Sequence, residues 1–256
     1  MIVDQSGWGQ IRVTGADRIR FMNGMCTVDV GKIAEGDWRR AAMLNIKGRV
    51  ISIYDLVHRG DHLLLICEPS LLERTLELLR KHAIMDDVDF AVAAEPVHRL
   101  WTDVDAVWSA PPVLGPPPGP VADAAAVEVR RIEAGLPRYG VDVGEDNFPF
   151  ESLLGGCVDY EKGCYLGQEP VYRVHAQGQP ARMMRGLRID GDPPPAPGTV
   201  VVHPARAEAG AITSAAHSPA LGTIALAYLH RTVNQPGGEV TVGGRRARVV
   251  ELPFRG

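Results

Sequence analysis

Residues 159–173 read DYEKGCYLGQEPVYR. Two glycines, Gly163 and Gly167, bracket a cysteine, and glycine lets a backbone turn tightly or approach a ligand closely. Lys162 precedes Cys164 by two positions, so its ammonium is placed to favour the thiolate. From the residues alone the stretch reads as a tight loop presenting a thiol beside a cation. It reads as well as a surface loop with one buried cysteine, the simpler account, since no histidine sits beside Cys164 in the sequence to form a dyad.

Upstream, residues 131–151 (RIEAGLPRYGVDVGEDNFPFE) carry glycine-punctuated loops and the acids Glu133, Asp142, Glu145, Asp146 and Glu151. Hard cations take oxygen ligands, but the spacing matches no calcium loop, and a solvated acidic loop is the plainer reading. Glu151 stands apart because it follows Phe148-Pro149-Phe150. An acid among aromatics is expected to be partly buried and to need N–H donors.

Outward from these segments, the N-terminal half alternates strand-like and helix-like runs. Gln10–Thr14 reads as a strand and residues 17–23 as a helix. Ala41–Leu44 and Val50–Val57 read as strands paired around Lys47-Gly48, and His62–Cys67 as another strand. Residues 71–82 (LLERTLELLRKH) space their leucines for a helix, with Ser70 and Glu73 at capping-box positions. Residues 109–120 hold six prolines and can be neither helix interior nor central strand. A second proline cluster, GDPPPAPG at 191–198, precedes short β-like runs separated by Gly and Pro turns, the texture of a small antiparallel barrel. The expected division is 1–190 and 191–256.

The chain has 256 residues, 27 Lys+Arg, 31 Asp+Glu and a formal charge of −4. This composition excludes a disordered or fibrous chain. A calculated pI near 6.1 argues against whole-surface attraction to nucleic acid or anionic lipid, so neither partner is expected. No basic–apolar leader and no membrane-length apolar run is read, so the expectation is a cytoplasmic protein. Four cysteines are too sparse for a disulfide framework. Cys26 and Cys67 read as buried hydrophobes, and Cys157 has no assigned role.

Taken together, these segments resemble a known family. KGCYLGQE (162–169) is similar to the K-G-C-Y-x-G-Q-E signature of YgfZ-type folate-binding-fold proteins, relatives of the glycine-cleavage T-protein. The segments RIEAGLPRYGVDVGEDNFPFE, ADRIRFMNGMCTVDV and GAITSAAHSPALGTIALAYL resemble further segments of that superfamily, so the likeness covers nearly the whole chain. The resemblance implies an α+β fold, with a central α/β region hollowed to take tetrahydrofolate and a C-terminal antiparallel β-barrel. It implies Glu151 as the clamp on the pterin edge, accepting paired N–H bonds. It implies Cys164 and Lys162 as the chemical centre, with Tyr165, Gly167, Gln168, Glu169 and Arg173 around the cofactor. The family's implied work is iron–sulfur cluster assembly or repair, and through it tRNA modification. Partners would be assembly or client proteins, and any cluster would touch Cys164 transiently, with His175 as a weak second ligand.

One departure from the aminomethyltransferase pattern matters. Where those enzymes carry an Asp pair, this chain has Ser52 and Ile53, and Asp55 comes two residues later. Strand alternation puts Asp55 on the face of Ile53, and it can replace the missing acid only if the strand bulges. A positioned proton-transfer group is worth about 10²–10⁴-fold in rate. Efficient aminomethyl transfer is therefore not expected, and a folate-dependent one-carbon transferase is the alternative. The basic runs ARMMRGLR (181–188) and GGRRARV (243–249) read as a solvated strand face, with an anion tail site as the alternative for the first, and as a charged hairpin edge for the second.

Overall fold

The computed structural model describes residues 1–178 and 180–255. The chain opens with β1 (Ile2–Asp4), β2 (Gly9–Thr14) and helix α1 (Arg18–Met25). Next come β3 (Trp38–Leu44), β4 (Val50–His58), β5 (Leu63–Cys67), α2 (Leu72–His82), β6 (Asp89–Ala93) and β7 (Val97–Leu100). A single turn, α3 (Ala106–Ser109), the short β8 (Val113–Leu114), α4 (Ala124–Ala134) and α5 (Gln168–Gln177) lead to six final strands. These are β9 (Arg182–Ile189), β10 (Val200–His203), β11 (Arg206–Ser218), β12 (Gly222–His230), β13 (Glu239–Val242) and β14 (Arg245–Val250).

Five strands form an antiparallel sheet in the order β3-β4-β5-β2-β6. One face packs on α1 and α2 through Ile11, Val13, Met22, Leu65, Leu76 and Leu79. The opposite face is covered as well, with Val57, Leu64 and Ile66 packed against Val97 of β7. Burial on both faces explains why β5 reads LLLIC with no polar alternation: every residue in it is buried. β3 and β4 join through the expected turn, where the Asn45 side chain accepts the N–H groups of Lys47 and Arg49. A second sheet, β1-β7-β8, lies beside the first, and the proline-rich stretch contributes only the two residues of β8 to it.

α2 follows the leucine spacing, but Ser70 does not cap it. Pro69 fixes a 3₁₀ turn over Pro69–Leu71, the α-helix starts at Leu72, and no side chain caps its N-terminus. α4 was not foreseen. Asp123 accepts the Ala126 N–H at its start, and Gly135, in the left-handed region, ends it.

The six last strands close into a barrel, β10-β11-β12-β9-β14-β13, with Leu187, Ile212, Leu229 and Val249 in its core. Its strand β9 begins at Arg182, ahead of the expected boundary at residue 190. The arginines that made Arg182–Ile189 look like a basic run alternate with inward-facing residues of a barrel strand. Closure also leaves β13–β14 no free edge, so Arg245, Arg246 and Arg248 do not guard one. Asp142 proves to be buried rather than solvated. It accepts from Arg131 (2.7 Å), Ser214 (2.7 Å) and Thr213 (2.5 Å), tying α4 to the barrel.

Candidate functional site

β4 supplies the polar centre of the molecule's interior. Asp55 stands beside Arg40 in the β3–β4 register, and the Arg40 guanidinium meets its carboxylate through Nε at 2.9 Å and Nη2 at 3.3 Å. Arg99, carried in on β7, donates to the same Oδ2 that Arg40 Nη2 reaches, to Gln5 Oε1 at 2.8 Å and to the Ala110 carbonyl. Trp38 lies under Arg99 (4.7 Å), and Trp108 lies near Arg40 (5.6 Å). Burial alone would raise the Asp55 carboxyl, but Arg40 and Arg99 outweigh it and hold it below the usual carboxylate range.

Two compartments adjoin this centre. The smaller, about 40 Å³, is lined by Ile53, Asp55, Tyr54 and Leu154 among others. The larger, about 390 Å³, runs between β1, β7 and α4 and is lined by Gln5, Arg99, Trp101, Arg131 and Arg138 among others. That volume falls in the range of small-molecule pockets. Leu153, at φ +63°, bends the chain just before Leu154 enters the wall. Ile53 and Asp55 line the same compartment, so the carboxylate is on the expected face without a bulge between them. It is nonetheless neutralised by two arginines. Among the described residues that line these compartments, three buried side-chain polar atoms have no hydrogen-bond partner: Nη1 of Arg40, Nε1 of Trp101 and the Tyr54 hydroxyl. Glu68, which follows β5, lines both compartments and was missed in the sequence, where Pro69-Ser70 marked it only as turn punctuation.

The expected site residues lie elsewhere. Glu151 is buried, but its Oε2 accepts its own turn's Phe148 N–H at 3.1 Å and faces Arg49 and Arg182, each 3.7 Å away. Burial pushes its carboxyl up, with that N–H and Arg182 pulling the other way. It does not line either compartment. Lys162 is also buried, and its ammonium donates to the carbonyls of Asn23 (2.6 Å), Cys26 (2.8 Å) and Val28 (2.7 Å). Its charge is spent on the backbone and on Cys26, whose thiol burial pushes up, rather than on Cys164. Lys162 therefore pins the loop after α1, and the expected Lys162–Cys164 activation is not what the geometry provides.

Cys164 is exposed, whereas Cys26, Cys67 and Cys157 are buried. Tyr165 is buried with its ring 5.0 Å from the Lys162 ammonium. Gly167, at φ +78°, lies so close to the Asn45 carbonyl that a Cβ there would sit 2.3 Å from its oxygen. The signature thus locks onto the β3–β4 turn and starts α5. Gln168, Glu169 and Arg173 lie on the outer side of α5, where Glu169 and Arg173 form an exposed pair. None of Tyr165, Gly167, Gln168, Glu169 and Arg173 lines the hollow. His175 stacks on Tyr160 at 3.7 Å. Among the described residues, no three His, Cys, Asp or Glu side chains are grouped to hold a metal. Likewise among the described residues, no helix is long and apolar enough to cross a membrane. In the first basic run, Arg182 and Arg185 donate to the carbonyls of Asp146 and Asn234, which commits them to the protein rather than to a free anion.

Residues 182–255 match the glycine cleavage T-protein C-terminal barrel domain. The chain is 36% identical over 159 residues to the aminomethyltransferase of Saccharopolyspora erythraea, covering 59% of this chain and 43% of that protein. It is 37% identical over 90 residues to the tRNA-modifying protein YgfZ of Hamiltonella defensa, covering 35% of this chain and 27% of that one. In both cases the aligned part spans less than half of the relative's length. The solved structure of the glycine cleavage system aminomethyltransferase T from Bartonella henselae superimposes with a TM-score of 0.86 at 19% identity, covering 99% of this chain and 86% of that one. The chain carries the glycine cleavage T-protein fold, and its closing barrel matches the C-terminal barrel domain of that protein.

Proposed function

We propose that the chain binds tetrahydrofolate in the central hollow and supports iron–sulfur cluster assembly or repair without efficient aminomethyl turnover. The observation that carries the non-transferase part is the locked Asp55. Its carboxylate shares a wall with Ile53 but is held ionised by Arg40 and Arg99, so it is a poor base for a folate nitrogen. The hollow's donor set fits the cofactor class. Trp8, Trp101, Leu136 and Pro137 offer apolar surface for a flat ring, while Arg138 suits polar and anionic groups. Bound there, tetrahydrofolate would supply a one-carbon acceptor. Cys164, the exposed one of the four cysteines, is proposed as the transient contact to iron, sulfur or a client protein.

Anaerobic calorimetry with tetrahydrofolate tests the first half, with saturable one-to-one binding expected. Absence of heat would remove folate from the reading. For the second half, Cys164→Ser is expected to lower cluster-dependent enzyme activities in cells, and unchanged activities would remove the thiol's role. The runner-up is a folate-dependent aminomethyl or methyl transferase, favoured by the name of the Saccharopolyspora relative and by the Glu68 carboxylate in the wall of both compartments. Enzymatic formation of methylene- or methyl-tetrahydrofolate from a donor would put it first.

A further inference from the structure

The sheet edges of the molecule are treated unequally. The barrel closes on itself and has no edge. In the five-stranded sheet the β3 edge is covered, since Ala42 gives its N–H to the Thr27 hydroxyl and its carbonyl accepts the Thr27 N–H. In the β1-β7-β8 sheet, the Ile2 carbonyl of the outer strand β1 accepts the Ala122 N–H. β6 ends the five-stranded sheet on its other side and pairs with β2 alone. Among the described residues, no backbone hydrogen bond beyond that pairing engages residues 89–93. Alternate residues of such a strand aim their N–H and C=O groups away from the sheet.

Natural edges are commonly blunted by lysine, proline or a bulge. β6 reads Asp-Phe-Ala-Val-Ala, keeps an unbroken register with β2 and carries none of these. Asp89, Ala91 and Val92 are exposed. The strand is nonetheless held in place. Phe90 packs its ring 5.6 Å from that of Phe21 on α1, and beyond the strand the Gln10 side chain accepts the Glu95 N–H at 2.9 Å and donates to the Glu95 carbonyl at 2.7 Å. Exposed apolar side chains accompany it. Met85 is 91% exposed, Ile84 80% and Val92 56%, the first two being the most exposed large apolar side chains among the described residues. Ile84 and Met85 lie in the connection that delivers the chain from α2 into β6.

Acids bracket the strand. Asp89 begins it and has no ion-pair partner within 4.0 Å among the described residues, while Glu95 follows it, paired with the exposed Arg12 at 3.1 Å. Asp86 is tied to Arg20 at 2.6 Å, and Asp87 accepts the Ala16 N–H at 3.3 Å. A second copy of this chain is therefore a poor occupant. Antiparallel self-pairing centred on Val92 sets Asp89 against Glu95, and centred on Ala91 it sets Asp87 against Glu95. Like charges directly opposite destabilise a strand pair.

We propose that β6 is a docking edge for an extended segment of a partner protein, which adds as a further strand, lays apolar residues beside Phe90 and Val92, and brings Lys or Arg to Asp89 and Glu95. In strand addition the main-chain bonds give affinity and the alternate side chains give specificity. Ile84 and Met85 extend the apolar surface at the start of the strand. The inference stands apart from the folate reading, because residues 84–95 line neither compartment.

The test is amide NMR of the full chain at low salt, titrated with blocked heptapeptides as probes. Lys-Val-Thr-Val-Thr-Val-Lys matches positions 89–95, with lysines opposite Asp89 and Glu95 and valines on the face of Phe90 and Val92. Saturable shifts centred on residues 89–93, with slowed hydrogen exchange there, are expected. Proline in place of the central valine cannot donate to a ladder and is expected to abolish them. Glutamate in place of both lysines is expected to weaken binding at least about threefold. Val92→Lys is expected to weaken the lysine peptide at least about tenfold, and Val202→Lys, on the barrel surface, to leave it within about twofold. An unchanged thermal midpoint checks the fold of each variant. If Val92→Lys does not fold, Asp89→Lys is read in its place, and the preference between the lysine and glutamate peptides is expected to reverse. The proposal is overturned if the lysine peptide gives no saturable change at β6, if the proline peptide binds as well, or if the glutamate peptide binds equally. Dimerisation of the free protein that Val92→Lys abolishes would give the edge to a second copy and overturn it too.

Discussion

The hollow beside β4 and the signature loop before α5 use buried cations in opposite ways. In the loop, Lys162 gives its ammonium to three backbone carbonyls and nothing is left over. In the hollow, Arg40 and Arg99 neutralise Asp55, and Arg40 still holds one enclosed donor that no acceptor meets among the described residues. The first arrangement fixes a fold, and the second fixes a fold around an open volume. Within the segment richest in recognisable pattern, Lys162 is thus a fastening, while the hollow beside β4 is lined by residues that form no local motif.

The contrast breaks most directly at Asp55. Asp55→Ala leaves two arginines buried against Trp38 and Trp108 with no counter-charge, and removing one partner of a buried pair costs about 3–5 kcal/mol. Urea unfolding should show that loss, and a cost under about 1 kcal/mol would mean the cluster is solvated and the hollow's wall is not rigid. The pH dependence follows from the sign of the shift. Asp55 is held below its unfolded value of about 3.9. Its stabilisation is therefore complete above that pH and lost as pH falls through the lower folded value. Between pH 5 and 2 the wild-type urea midpoint should fall more steeply than that of Asp55→Asn.

Lys162→Met is the corresponding strike at the loop. It removes the shared donor from the carbonyls of Asn23, Cys26 and Val28, and unsatisfied buried groups cost about 1–3 kcal/mol each. Because water can enter part of the gap, a total of about 2–3 kcal/mol is expected by chemical denaturation. Folate affinity should stay within about twofold, since Lys162 does not line the hollow. A large loss of affinity at wild-type stability would show that the loop reaches the ligand after all.

These two regions also show what a sequence exposes. β4, β5 and α2 were readable because one periodicity governs each: a run buried on both faces, or leucines returning every third or fourth residue. α4 had legible ends, Asp123 and Gly135, but its alanine-rich start follows a proline stretch and drew no attention to them. The wall shared by the two compartments draws on positions 8, 40, 68 and 136–137, which only the folded sheets bring together. Nothing local distinguishes Glu68 from an ordinary turn acid. Lys162 misled for a related reason: closeness to Cys164 along the chain suggested an electrostatic pair, while the side chain turned inward to carbonyls more than a hundred residues earlier.

The smallest expected effect separates fastening from function within the loop itself. Cys164 is exposed, whereas burial raises the Cys67 thiol to about 12 and the Cys157 thiol to about 11 and leaves Cys26 enclosed. The thiolate is the reactive species, so a maleimide at pH 7.5 should modify one cysteine in the native protein and four after unfolding. Cys164→Ser should abolish the native labelling and change stability by no more than about 0.5 kcal/mol, as for other exposed positions. Lys162→Met should leave the native labelling rate of Cys164 within about twofold, because the ammonium's partners are carbonyls rather than that sulfur. A rate that collapsed with Lys162→Met, in protein still folded under the assay conditions, would restore the lysine–thiolate pair. The loop would then carry chemistry of its own, and the division of labour between it and the hollow would have to be redrawn.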